Sequence, residues 1–392
     1  MRRLRLLFLM VLTLIATTRT AWTQTVLVAG HYPGGTWAEL HDINDAGLAV
    51  GWGDVASGDT RMIAVSLADP SNPVWFESGV SSNGVWSDEG IGVSGNGLIA
   101  GNINTASGDA RAYLWTVDGM PGIALGTLPG DDGSAAIAIN KSGTLIVGTS
   151  YHWLNNKRDM WASPVVWTLV FTWQNGAPKK SWVIHALPTG GLEQHGAVFK
   201  NDVLNNWGGW GVNDRGQIVG DAWSDRFEEI ALVWTPAACS EGWTIKQLPH
   251  QSRLPVAATY PFTEALSIDN DGYIAGDMSA DGWNSNVPAL WVMDFHKAPT
   301  WKLEVLENLS GMPGGTNTAW GINDLGAISG VSMDTAGNEF ATRWINTNPG
   351  VATLIGFPGD YGRAMKENST GIVVGRYRYG TGPLQAAAVA LH

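Results

Sequence analysis

Three stretches of this chain gather side chains that can do chemistry. The first, 149–163, carries Tyr151, His152, Trp153, Arg158 and Trp161, with Lys157 and Asp159 among them. The second, 189–208, carries Glu193, His195, Lys200, Asp202 and Trp207, and the third, 249–263, carries His250, Arg253 and Tyr260. Two chemistries suit these residue types. Trp and Tyr rings present a broad apolar face that stacks on sugars, while Arg, Lys and His hydrogen-bond the hydroxyls, and together they make a binding surface. Alternatively, Arg253 neutralises the carboxylate of an acidic sugar while His195, His250 and Tyr260 act as base and acid in a lyase-type elimination. A hydrolase would instead draw its two carboxylates from Glu193, Asp159 and Asp202.

Other chemistries are less well served. The histidines lack the close pairing of familiar zinc motifs. Cys239 is the single cysteine, which excludes an internal disulfide and a cysteine-based zinc site. Asp269-Asn270-Asp271-Gly272 begins like a calcium loop but lacks the distal Glu. There is no Gly-x-Ser-x-Gly elbow and no Walker loop. The sequence therefore leads us to expect no metal and no cofactor. A net charge of −12 without a basic stripe argues against nucleic acid and against docking on anionic membranes. A glycan or another protein is the expected partner.

What must position these stretches is a repeat. A phrase of β-branched residue, Asn or a similar small polar residue, polar residues, Gly, apolar residues and Gly recurs seven times. It runs Ile43-Asn44-Asp45-Ala46-Gly47 to Gly51, and returns with turn glycines at 97, 143, 216, 272, 326 and 371. Before it stands an apolar segment ending in a turn such as Leu128-Pro129-Gly130. After it comes a strand ending in Trp115, Trp167, Trp234, Trp291 or Trp344. The Asn-Asp-x-Gly link is a hairpin signal, because Gly takes the positive φ that closes the turn. Four strands per unit, about 45 to 75 residues apart, with 50 Gly and 21 Trp, fit propeller blades. The expectation is all-β: a seven-bladed β-propeller of seven four-stranded repeats, one domain over 25–392. Unit three has one extra residue between its glycines, read as a bulge. Alternating strand direction places all three long stretches on one face, over adjacent blades.

The string Ala-x-x-Ile-Asn-Asp-x-Gly-x-x-x-Gly, clearest at Ala319 to Gly330, resembles the HAF family of extracellular repeats, as do the Leu-Pro-Gly-Gly turn before it and the Ala-x-x-Trp after it. The resemblance covers nearly all of 25–392. It implies a secreted β-propeller-like protein and brings no activity with it.

The N-terminus agrees with export. Arg2, Arg3 and Arg5 precede the apolar run Leu6 to Ala16 and a polar exit to Gln24, the pattern of a signal peptide over 1–24. The run is too short to span a bilayer. The sequence thus points to a secreted, extracellular or periplasmic protein without stable membrane insertion, acting as a binding module for glycan or protein. The alternative is a polysaccharide-degrading lyase on the long-loop face.

Overall fold

The computed structural model describes residues 24–31, 34–67, 88–105, 108–117, 122–154, 159–174, 177–190, 211–223, 229–238, 242–250, 261–280, 285–294, 300–309 and 316–391. Among these there are strands and turns but no helix, so no helix is long and apolar enough to cross a membrane.

Seven antiparallel sheets form the blades. The first holds β2 (Ala38–Ile43), β3 (Leu48–Asp54) and β4 (Thr60–Ser66). The second holds β5 (Asp88–Val93), β6 (Leu98–Asn104), β7 (Ala110–Thr116) and β8 (Ile123–Ala124). The third is the longest, with β9 (Gly133–Ile139), β10 (Leu145–Leu154), β11 (Asp159–Gln174) and β12 (Ala177–Ala186). The fourth is β13 (Gly211–Val212), β14 (Ile218–Trp223), β15 (Glu229–Pro236) and β16 (Trp243–Gln247). The fifth is β17 (Phe262–Ile268), β18 (Ile274–Ser279), β19 (Asn286–Asp294) and β20 (Thr300–Val305). The sixth is β21 (Asn317–Ile322), β22 (Ala327–Met333), β23 (Glu339–Ile345) and β24 (Asn348–Leu354). The seventh takes β25 (Tyr361–Glu367), β26 (Ile372–Arg378) and β27 (Gln385–Leu391) from the C-terminus and β1 (Gln24–Gly30) from the N-terminus.

The inner strands β2, β5, β9, β13, β17, β21 and β25 touch their neighbours in a closed circle, which makes the molecule a seven-bladed β-propeller. Each junction between blades has its own apolar cluster. Val147, Val166 and Leu187 of blade three, for instance, pack on Ile218, Leu232 and Trp234 of blade four. Trp167, Trp234, Trp291 and Trp344 are among the largest fully buried side chains, as their place in the repeat suggests. Three of them also tie blades together. The indole N–H groups of Trp234, Trp291 and Trp344 donate to the carbonyls of Pro188, Pro249 and Glu307, at 2.7, 2.8 and 2.6 Å, each at the end of the preceding blade.

The two glycines of the phrase have different reasons. The first sits at positive φ, 80° at Gly47, where an L-residue would be strained. The second lies where the inner strand bulges towards it. A Cβ at Gly51, Gly276 or Gly375 would overlap the carbonyl oxygen of Glu39, Glu264 or Arg363. The extra residue of unit three corrects the sequence reading: it lengthens the turn. Asn140 N–H donates to Leu145 C=O, five residues on, where Asn44 N–H donates to Leu48 C=O, four on. The β9–β10 register shift is the same inner-strand bulge that the other blades have. The phase of the blade is also settled. The apolar segment before each Leu-Pro turn is the outer strand of the preceding blade, as β12 is before Leu187-Pro188.

Candidate functional site

The turn face is built largely by the Asn that five of the seven phrases carry. Asn44 Oδ1 accepts from Leu48 N–H at 2.9 Å, which holds the turn, and its Nδ2 donates to the carbonyl of Ser94 in the next blade at 2.9 Å. Asn213, Asn323 and Asn368 do the same, donating to the carbonyls of Asp269, Asn368 and Asn44. The remaining junctions close through Gly95 N–H to Lys141 C=O, Ser142 N–H to Asp214 Oδ1 and Asn270 N–H to Asp324 Oδ1. A belt of hydrogen bonds therefore runs across all seven junctions. Sequence reasoning assigned these residues to local turn chemistry and missed the half of Asn44, Asn213, Asn323 and Asn368 that faces the next blade, whereas Asn140 keeps its Nδ2 within its own turn.

Inside the belt lies the central channel, a cavity of about 220 Å³. The bulged residues of six inner strands, His41, Ile91, Ile137, Leu266, Trp320 and Met365, line it. At its mouth Lys141 Nζ reaches Asp45 at 2.5 Å and Asp324 at 3.3 Å. The hydrogen bond to Asp45 raises the ammonium pKa. Deeper, Lys366 Nζ donates to Ser267 Oγ and to the Ile322 carbonyl. Channel cations are thus spent on the ring itself.

Towards the other face, blades six, seven and one share a buried ion network. Glu39 lies 3.4 Å from Arg363 and 3.5 Å from Arg376, and both arginines reach Glu339. Burial alone would raise the Glu39 pKa, but Arg363, Arg376 and His41 more than reverse that and hold it far below the carboxylate range. His41 stacks on Trp52 at 3.7 Å, and burial with the two arginines depresses its pKa.

The strands leading into the three long stretches end on the face opposite the belt, because every pairing in the blades is antiparallel. Arg158, His195, Lys200, Trp207, Arg253 and Tyr260 lie outside the described residues. Tyr151, His152, Trp153 and Trp161 stand on a hairpin made by β10 and β11. One side of this hairpin is pinned to the ring. Tyr151 is buried, and its hydroxyl accepts from Ala110 N–H at 2.8 Å; burial pushes its pKa up. Trp153 packs edge-on against it and donates from its indole to Asp109 Oδ1 at 2.8 Å. The other side is presented outwards. His152 and Trp161 are directly paired across the strands, Trp161 is 39% exposed, and His152 Nδ1 lies 3.4 Å from Asp131. His250 is half-buried, next to the Pro249 whose carbonyl receives the Trp291 indole. It is the one described member of the proposed catalytic set.

A second aromatic feature went unread in the sequence. Strands β11 and β12 run past the core, and Phe171 and Trp173, 60% and 79% exposed, share one face of this ribbon. Lys180 lies 5.8 Å over the Phe171 ring. The alternation Phe171-Thr172-Trp173 beyond a normal strand length was the available signal.

No family model matches the chain, and no curated protein matches it. Among solved structures, the acylaminoacyl peptidase of Pyrococcus horikoshii aligns at a TM-score of 0.52 with 10% identity, over 89% of this chain and 50% of that one. Prolyl oligopeptidase B of Galerina marginata aligns at 0.50 with 10% identity, over 87% and 47%. The six-bladed fucose-recognising lectin of Aleuria aurantia aligns at 0.38 with 11% identity, over 81% and 95%. This chain spans about half the length of the two peptidases, and the likeness is one of fold.

Proposed function

We propose that this protein is a secreted, non-catalytic binding propeller of the HAF repeat type, and that the long-loop face of blade three holds a glycan. The observation that carries this reading is the β10–β11 hairpin. Its underside is fixed by Tyr151 and Trp153, so the outward pair His152 and Trp161 is held in place before any ligand arrives. A preordered aromatic face loses little conformational entropy on binding, and a flanking imidazole hydrogen-bonds hydroxyls. The signal-peptide pattern of residues 1–24 supports export.

The test is a glycan array and co-sedimentation with insoluble polysaccharides, using the protein without residues 1–24. Binding that falls at least about tenfold in Trp161→Ala, with the melting temperature unchanged, supports the site, because an aromatic stacking contact contributes on the order of 1–3 kcal/mol. Unaltered binding in Trp161→Ala together with loss in Trp173→Ala would move the ligand to the opposite ribbon. Shortening of an acidic polysaccharide during the assay would replace a binding role with the lyase alternative.

A further inference from the structure

At the layer where Glu39 meets its arginines, blades four and five carry a cluster of acids. The residue after the second glycine is Trp52, Asn102, Thr149, Val331 or Arg376 in the other blades, but Asp221 and Asp277 here. Asp277 faces Glu264 across the β17–β18 pair and is in hydrogen-bonding contact with it. Glu229 begins β15, two residues before the Ala231 that pairs with Asp221, and is in hydrogen-bonding contact with Asp221. One carboxylate oxygen each from Asp221, Glu229 and Glu264 lies within 4.8 Å of the other two.

Two further observations separate this cluster from an ordinary acidic patch. First, it is withdrawn from solvent. Glu229 is 1%, Asp277 2% and Asp221 7% exposed, and Glu264 is half-buried. Among the described residues, no basic side chain pairs with Glu229, Glu264 or Asp277. Second, it holds orphaned acceptors. Glu229 Oε1, Asp277 Oδ1 and the amide oxygen of Asn286 are buried without a hydrogen-bond donor. Asn286 is anchored beside the acids by its Nδ2, which donates to Asp277 Oδ2 at 3.2 Å, and Thr318 Oγ1 donates to the same oxygen at 2.8 Å. A carboxylate oxygen accepts but does not donate, so two facing carboxylates need a proton or a cation between them. Burying an unneutralised charge is prohibitively costly.

We propose that Asp221, Glu229 and Glu264, with Asp277 beside Glu264, form a buried calcium site between blades four and five. The donors are all hard oxygens, with no imidazole and no thiolate, which favours calcium over zinc or copper. Carboxylates that can bind through one oxygen or both offer the high, irregular coordination that calcium accepts and magnesium does not.

The experiment is calorimetric titration of calcium chloride into chelator-treated protein, with thermal melts in parallel. The expected result is one site per chain and a melting temperature raised by several degrees. Paired Glu229→Gln and Asp277→Asn should abolish the response while the folded circular dichroism signature persists. No heat and no thermal shift with millimolar calcium in the unaltered protein would overturn the site and leave shared protons in its place. Tighter binding of manganese or magnesium than of calcium would overturn the choice of ion.

Discussion

Asn368 donates its side-chain N–H to the backbone carbonyl of Asn44 at 3.0 Å, although 324 positions separate them. The two residues are equivalent members of the first and last repeats, so the closing junction is made by the same bond as junctions inside the chain. Asn368 Oδ1 also accepts from Thr370 and Ile372 N–H. Asn368→Ala therefore strands buried donors and one acceptor. The expected loss is about 2–3 kcal/mol in urea unfolding, the cost of leaving such groups unpaired.

One phrase has Asp where the others have Asn or Ser. Asp269 accepts from Asp271 and Tyr273 N–H but has no Nδ2 to offer blade six. Burial, opposed by these N–H groups, raises its pKa to about 6. Its folded pKa lies above the unfolded one, so the stability linked to its proton is present in acid and lost as pH rises through 6. Asp269→Asn should stabilise the protein by roughly 1 kcal/mol or more at pH 8, adding a neutral donor where a charge is buried. The gain should shrink at pH 5. Urea midpoints at the two pH values check this.

The Glu39 network titrates with the opposite sign. Its pKa is held low, so the stability it contributes is present above the ordinary Glu range and lost as pH falls below it. Arg363→Ala leaves Glu39 and Glu339 short of a partner, and Arg363 also covers the Trp320 ring. Breaking a buried ion pair from one side costs about 3–5 kcal/mol. The gap between variant and parent should narrow in acid, as read by thermal melts from pH 7 to 3.

The recurring Trp is both packing and hydrogen bond. Trp291→Phe keeps most of the ring but leaves the Pro249 carbonyl without its donor. A loss of about 1–2 kcal/mol is expected, against about 3–5 kcal/mol for Trp291→Ala. Chemical denaturation of the two variants separates the contributions.

The ring was legible in the sequence because its causes are local. Asn44 and Gly47 signal a turn, and Trp291 signals a buried strand, whatever lies around them. What was not legible depends on neighbours. The segment before Leu187 looks the same whether it opens one blade or finishes another; only pairing decides. The channel-facing role of Trp320 or Met365 comes from a bulge that no single letter announces. Tyr151 and Trp153 read as ligand contacts because they are aromatic and lie in the long stretch 149–163, yet the strand turns them towards Ala110 and Asp109. The acids Asp221 and Glu264 are 43 positions apart and belong to different blades, so no spacing rule joins them.

The outermost strand of the last sheet is laid down by residues 24–30, against residues 385–391. Residues 24–30 must accordingly wait, without a mate, until residues 385–391 have been made. A nascent polypeptide that stops short of residue 385 leaves the ring unlatched.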